Sequence, residues 1–308
     1  MLLTRLISIA LAAALPSLAA AQTPTRQSAP TATVQELTVT APAKEAARLP
    51  ELVSRFVQDH GQASRIDQLS RWAVPLCPKT GGLSAAFDAY VSARVLQVAT
   101  AVGVKAARPR NRNLPCKPNL LVVFTTTPQK LLDDVRRRHP QMLGFHYAAQ
   151  AERVATFDRA IQAWYMTGTG ARGDNPEPDT EFGRMPGGTA GSRLSVKLTS
   201  QFMGVLVVVD SNQALGRQIG GIADEIAMLA LARAKRSPGC SPLPSVLDFM
   251  NPDCKASDPP AEMTVYDVAY LKGLYSVDPE EFLAAQKSEI GSHMMRELAV
   301  PAPRPTKP

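Results

Sequence analysis

Asp224 and Glu225 are the residues of this chain whose placement most invites a chemical explanation. They stand side by side in the middle of the segment 214–234, where Ile219, Ile222, Ile226 and Leu229 lie on one face and Met228 and Leu231 make the opposite side apolar as well. A helix that is apolar nearly all round is a buried one. Burying a carboxylate is costly unless it is paired or hydrogen-bonded, so two adjacent acids in such a helix require partners or a task. Three readings follow. The pair is structural, held by nearby arginines or by amides of a strand; or it lines a cleft that binds without reacting; or it works as acid and base. The last requires surroundings that separate the two pKa values.

Other residue types with chemical potential are sparse. His60, His139, His146 and His293 are the only histidines. None has metal-ligand spacing to a cysteine or a second histidine, so each reads as structural or solvated, and neither a metal nor a cofactor is expected. Cys77, Cys116, Cys240 and Cys254 contain no C-x-x-C. An even count permits two disulfides, and the pairing Cys77–Cys116 with Cys240–Cys254 keeps each bridge within one half of the chain. No nucleophile elbow, phosphate-binding loop or dinucleotide fingerprint occurs. Gly220-Gly221 lies inside the helical pattern, where paired glycines permit close packing. The cluster Arg108, Arg110, Arg112 and Lys117 lies in a loop, and Arg136-Arg137-Arg138 suits the negative end of a helix. Without interleaved aromatics neither predicts a nucleic-acid reader.

Several elements must position the acid pair. Leu49, Leu52, Val53, Phe56 and Val57 have helical spacing, with Gly61 as the stop. Residues 66–77 read as an extended approach and a short strand. Phe87, Val91, Val95, Val98 and Val102 step by three and four, the signature of a long helix with one apolar face. Asn119–Phe124 reads as a buried strand, and Thr127-Pro128 opens a helix. Ile161–Thr167 reads as a strand carrying Trp164 and Tyr165, with Ile161, Trp164 and Tyr165 as candidate binding residues on an edge. The Gly/Pro/Asp-rich stretch 168–192 is long enough to be a lid. Two further strands are expected at 194–198 and 205–209, then the 214–234 helix, the Cys240–Cys254 loop, a helix from Thr264 and a last one over 279–298. Strands and helices intermix without a strict βαβ rhythm. That predicts an α+β fold, a mixed sheet with a long backing helix and a buried central helix.

This order resembles that of the zincin metallopeptidases, in particular the matrixin-like layout. There a long helix and mixed strands precede an active-site helix carrying His-Glu-x-x-His, a methionine turn and a closing helix. The segment Pro244-Ser-Val-Leu-Asp-Phe-Met250 stands where the methionine turn belongs, and Met263-Thr-Val-Tyr-Asp267-Val-Ala-Tyr-Leu271-Lys-Gly-Leu-Tyr275 is similar to the closing helix. Thr264 and Asp267 also make sense alone, as N-cap and first-turn acid. The resemblance places the two imidazoles at Asp224 and Met228, the general base at Glu225, and the family's glycine and third histidine at Leu231 and Ala234. Only the glutamate matches. Zinc needs imidazoles at i and i+4 and a third ligand downstream, and methionine is a poor substitute. The resemblance therefore implies a scaffold without peptidase chemistry.

The chain's 308 residues, 45% apolar and 20% charged, exclude wholesale disorder, and its net charge of +7 fits a protein weakly attracted to anionic surfaces. Met1–Arg5, the apolar stretch Leu6–Leu15 and Ala19-Ala-Ala21 make a secretory signal peptide over 1–21, cleaved after Ala21. Residues 22–48 read as a disordered linker, 49–298 as one α+β domain (with parts 49–168 and 193–298), and 299–308 as a disordered Pro-rich tail. Beyond the leader no run is long enough to span a membrane. The expectation is a protein of the periplasm or exterior of a Gram-negative cell, without catalysis, binding a peptide or protein through an edge strand. The alternative is an atypical zincin-like hydrolase with Glu225 as general base and Asp224 beside it.

Overall fold

The computed structural model describes residues 43–109, 115–144, 154–179, 197–234 and 238–299. All fall within one compact unit, Glu36–Pro308. The leader, most of the linker, Arg110, Arg112, His146, the segment 180–196 and the tail lie outside the described residues.

The fold is α+β. Seven α-helices occur among the described residues: α1 Ala43–His60, α2 Ala85–Ala101, α3 Pro128–Arg138, the single turn α4 Ser211–Ala214, α5 Ile219–Leu231, α6 Val265–Ser276 and α7 Leu283–Leu298. None is long and apolar enough to cross a membrane. The strands β1 Pro78–Gly81, β2 Leu120–Thr125, β3 Ile161–Gly170, β4 Glu177–Pro178 and β5 Thr199–Asp210 form one mixed sheet in the order β1-β2-β5-β3-β4. The first three are mutually parallel, whereas β3 runs antiparallel to both β5 and β4.

Alternation along the central strands divides the core. Leu120, Val122 and Phe124 of β2 and Val205, Val207 and Val209 of β5 face the larger cluster, against α2, α5, α6 and α7. Leu206 and Val208 face the other way, with Trp164, Leu132 and Val135 under α3. Strands with both faces covered are apolar at every position, and so is 205–209. The backing helix buries Val91, Val95 and Val98 as its spacing predicts; Phe87, in its first turn, is exposed.

Five boundaries differ from the sequence expectation. The first helix begins at Ala43, inside the segment 22–48 read as a disordered linker. Residues 66–77 form no strand, only the single bridges Ala63↔Leu69, Arg71↔Gln201 and Leu76↔Ala106, and the strand begins at Pro78. Pro75 lacks the N–H that a continuous ladder needs. β5 is one long strand starting at Thr199, and the expected strand at 194–198 lies mostly outside the described residues. The 214–234 helix is interrupted, because Leu215 leaves helical geometry and Gly216 takes φ +75°, so α5 begins at Ile219 and ends at Leu231. The last helix starts at Leu283. The stretch after Thr167 is also partly regular, since β3 continues to Gly170 and pairs with β4.

Both disulfides occur in the expected pairing. Cys77–Cys116 ties the start of β1 to the chain leading into β2 with Cα atoms 6.1 Å apart, and Cys240–Cys254 closes the loop before α6 at 4.3 Å. Two bridges and no free cysteine fit an oxidising compartment.

Candidate functional site

Every residue of α5 from Gly221 to Leu231 is buried, Asp224 and Glu225 among them. The helix follows β5 through the short α4 and lies under α2 and the loop that precedes α6.

Asp224 is held by the backing helix. Arg94 of α2 donates from Nε to Oδ1 and from Nη2 to Oδ2, the latter at 2.9 Å, so the side-on edge of the guanidinium clasps both carboxylate oxygens. The side chains are 10% and 2% exposed. Oδ2 also accepts from the Met263 backbone N–H at 2.7 Å, and Arg94 Nη1 donates to Gln97 Oε1. The hydrogen bond to Asp224 raises the Arg94 pKa against the opposing effect of burial. A bidentate, charge-assisted pair with an extra amide donor satisfies a buried carboxylate.

Glu225 turns to the loop, where its Oε2 accepts from the Met250 N–H at 3.1 Å. Asp267, on α6, completes the set. Its carboxylate and Thr264 form a capping box, and it also accepts from Ser245 Oγ at 2.6 Å and Val246 N at 2.9 Å. Burial raises its pKa to about 6, against those hydrogen bonds, which lower it. Three buried carboxylates thus each take a backbone N–H from residues 246–264, and they fix that connection onto α5 and α6. Gly221 allows its close approach: a Cβ there would stand 2.7 Å from both Ala261 O and Phe249 Cε1.

The far end of α5 is closed by aromatic donors. The Tyr165 hydroxyl donates to Leu229 O at 2.8 Å and Ala232 O at 3.3 Å; Trp72 Nε1 donates to Ala230 O and the Tyr275 hydroxyl to Leu231 O, both at 2.8 Å. Carbonyls left over at a helix C-terminus need such partners when the end is buried.

The residues predicted for an edge site are divided. Ile161 is fully buried, Trp164 lies in the smaller core with its Nε1 on Val154 O, and Tyr165 stacks on Phe202 while capping α5. Their side chains are engaged within the fold. Their backbone is a different matter. The bond from Asp210 N to Ala160 O fixes the β3–β5 phase, so Gln162 and Trp164 direct their N–H and C=O to β5, while Ile161, Ala163 and Tyr165 direct theirs to the outer side. Among the described residues, β4 and Asp179 cover that side from Thr167 to Thr169, and Gly144 packs against Tyr165 O.

The donor set at α5 does not fit zinc. Its i and i+4 positions offer Asp224, engaged by Arg94, and Met228, wholly buried in the core. Among the described residues no three His, Cys, Asp or Glu side chains converge as a metal site would require. His60 is buried, its Nδ1 sharing a hydrogen bond with Phe56 O at 2.8 Å; His139 caps α3 and His293 lies on α7.

Sequence reasoning singled out the acids and not their partner. Arg94 lies three residues after Val91 and four before Val98, inside the apolar stripe of α2. A lone cation at that position is the signal that could have found it. No known protein family, curated protein or solved structure matches the chain.

Proposed function

We propose that this chain is an exported binding or interaction protein without catalysis, built on a scaffold that resembles a metallopeptidase and has lost its metal motif. The observation that carries this reading is the Arg94 guanidinium on Asp224. At the point where the family resemblance would put a zinc ligand, an internal cation already takes both oxygens. The order of elements, with three parallel strands, the antiparallel β3 beside them and a buried helix after the last long strand, supports the scaffold resemblance. The two disulfides and the apolar leader support export to the periplasm or the exterior.

The ligand is an extended peptide segment added at β3. Outward N–H and C=O groups at Ile161 and Ala163 supply the main-chain recognition that strand addition requires. Ala163→Pro removes one outward donor and leaves the ladder to β5 in place. In selections from a library of displayed extended peptides, Ala163→Pro loses capture while the thermal transition is kept. Capture unchanged by that substitution overturns the edge reading. Glu225→Gln keeps an acceptor for Met250 N, and capture and fold are unaffected. Peptide hydrolysis by the wild type that Glu225→Gln abolishes would establish the hydrolase alternative instead.

A further inference from the structure

Cations and acids are not interspersed along this chain. From Ala89 to Leu132 it carries seven Lys or Arg residues and no Asp or Glu. The fold gathers part of that stretch at one end of the sheet, where β1 is the edge strand, opposite the β3–β4 end. The chain leaving α2 runs parallel to the segment that leads into β1: Leu76 N donates to Lys105 O and Ala107 N donates to Leu76 O, both at 2.8 Å. Cys77 is bridged to Cys116, and its carbonyl accepts from Asn119 N at 3.1 Å. Lys105 is thus bonded to Leu76, Arg108 and Lys117 each follow a residue bonded to Leu76 or Cys77, and Lys79 lies two residues along β1.

All four cations are exposed, and among the described residues none of them enters an ion pair. Asp88, the acid just before the stretch, is engaged by Leu83 N. Lysine on an edge strand guards against edge-to-edge pairing, which accounts for Lys79. It does not account for Lys105, Arg108 and Lys117, which lie outside the strand. Gathering like charges costs self-repulsion that an anionic surface relieves.

The chemistry of the patch selects among anionic partners. Three of the four cations are lysines, flexible point charges without a fixed fork, which suit a diffuse array of headgroups better than one directed contact. No aromatic residue is exposed in 72–79, 104–109 or 115–118, so the patch has no anchor for a protein hot spot and no platform for bases. Ala73, Val74 and Pro75 are exposed beside the cations, Val74 at 42%, and an apolar margin of this kind suits the boundary between headgroups and acyl chains.

We propose that the β1 edge docks on a membrane surface rich in anionic lipid headgroups, with Lys79, Lys105, Arg108 and Lys117 supplying the attraction. The β3–β4 end of the sheet is left free, and the docking stands whether or not a peptide adds at β3.

The test is co-sedimentation of the tag-free chain with vesicles of phosphatidylcholine alone and of phosphatidylcholine mixed with an equal part of phosphatidylglycerol. At about 50 mM salt the chain prefers the anionic vesicles by roughly a hundredfold, and at about 500 mM that preference collapses. Each cation contributes about fivefold, so Lys105→Gln cuts the preference by about that factor. The triple variant Lys79→Gln, Lys105→Gln, Lys117→Gln abolishes nearly all of it. These positions are exposed, so the variants keep the wild-type thermal transition, and the salt dependence of the wild type tests the claim without them. Equal binding of the wild type to both kinds of vesicle overturns the proposal. So does an equal loss in the triple variant Lys272→Gln, Lys287→Gln, Arg296→Gln on α6 and α7, which would make net charge and not this edge the cause. Binding of duplex DNA or polyglutamate that the β1-edge variant abolishes, without partition onto anionic vesicles, would assign the edge to another partner and overturn it as well.

Discussion

Arg94 and Asp224, 130 residues apart in the chain, meet through two parallel N–H···O bonds, and this pair joins the backing helix to the middle of the most deeply buried helix. Met263 N adds a third donor to Asp224. Two helices and the loop before α6 are therefore fastened at one carboxylate.

Breaking that pair from one side strands a buried charge. Arg94→Met lowers stability by about 3–5 kcal/mol. The double variant Arg94→Met with Asp224→Leu recovers a substantial part, because the uncompensated charge goes with its partner. Urea unfolding of the two single variants and the double gives the coupling. Losses that simply add would remove the pair from its structural role.

The two neighbouring glycines of α5 separate by what faces them. Alanine raises helix propensity at either position by about 1 kcal/mol. At Gly220 the nearest obstacle to a Cβ is the Tyr90 hydroxyl at 3.5 Å, so Gly220→Ala is neutral or stabilising. At Gly221 the Cβ meets the Ala261 carbonyl and the Phe249 ring at 2.7 Å, and a backbone carbonyl gives way poorly. Gly221→Ala costs a net of roughly 1–3 kcal/mol. Chemical denaturation of the two variants checks the contrast, and equal effects would contradict it.

Two buried titrating groups oppose one another across mildly acidic pH. His60 is stacked on Phe56 with ring centroids 3.8 Å apart, and burial pulls its pKa down to about 4. The unfolded chain binds this proton more readily, so the His60 contribution is present above about 6.5 and is lost as pH falls through about 4. Asp267 has the reverse sign. With its pKa raised to about 6, it favours the folded state below about 4, and that contribution is lost as pH rises through about 6. His60→Phe keeps the stacked ring and removes the acid-labile term. Relative to wild type, its unfolding free energy gains on the order of 3 kcal/mol between pH 7 and pH 4. A stability difference that stays constant over that range would exclude His60 as an acid-sensitive group.

Much of this architecture is legible in the sequence where one period dominates. Val91, Val95 and Val98 foretell α2, the run 205–209 foretells a strand covered on both faces, and Thr264 with Asp267 foretells the start of α6. The interruption at Leu215 and Gly216 is weaker in the pattern, because the apolar spacing continues across it while the backbone does not. The acid pair stands out as charge in an apolar helix. Its partners do not, since Met250 and Met263 bind through backbone N–H groups that any residue except proline carries. Trp72, Tyr165 and Tyr275 converge on the end of α5 from three separate parts of the chain, which no local spacing reveals. Tyr165 was legible as an aromatic on an outer strand, but the destination of its hydroxyl depends on the tertiary fold.

The most direct test is the metal content of the tag-free chain, purified without chelator or added metal and measured by mass spectrometry beside its thermal unfolding with and without zinc. With Arg94 seated on Asp224, zinc stays well below one equivalent per chain and does not raise the transition. Close to one zinc per chain, released in parallel with a fall in Tm and accompanied by peptide hydrolysis that Glu225→Gln abolishes, would contradict it.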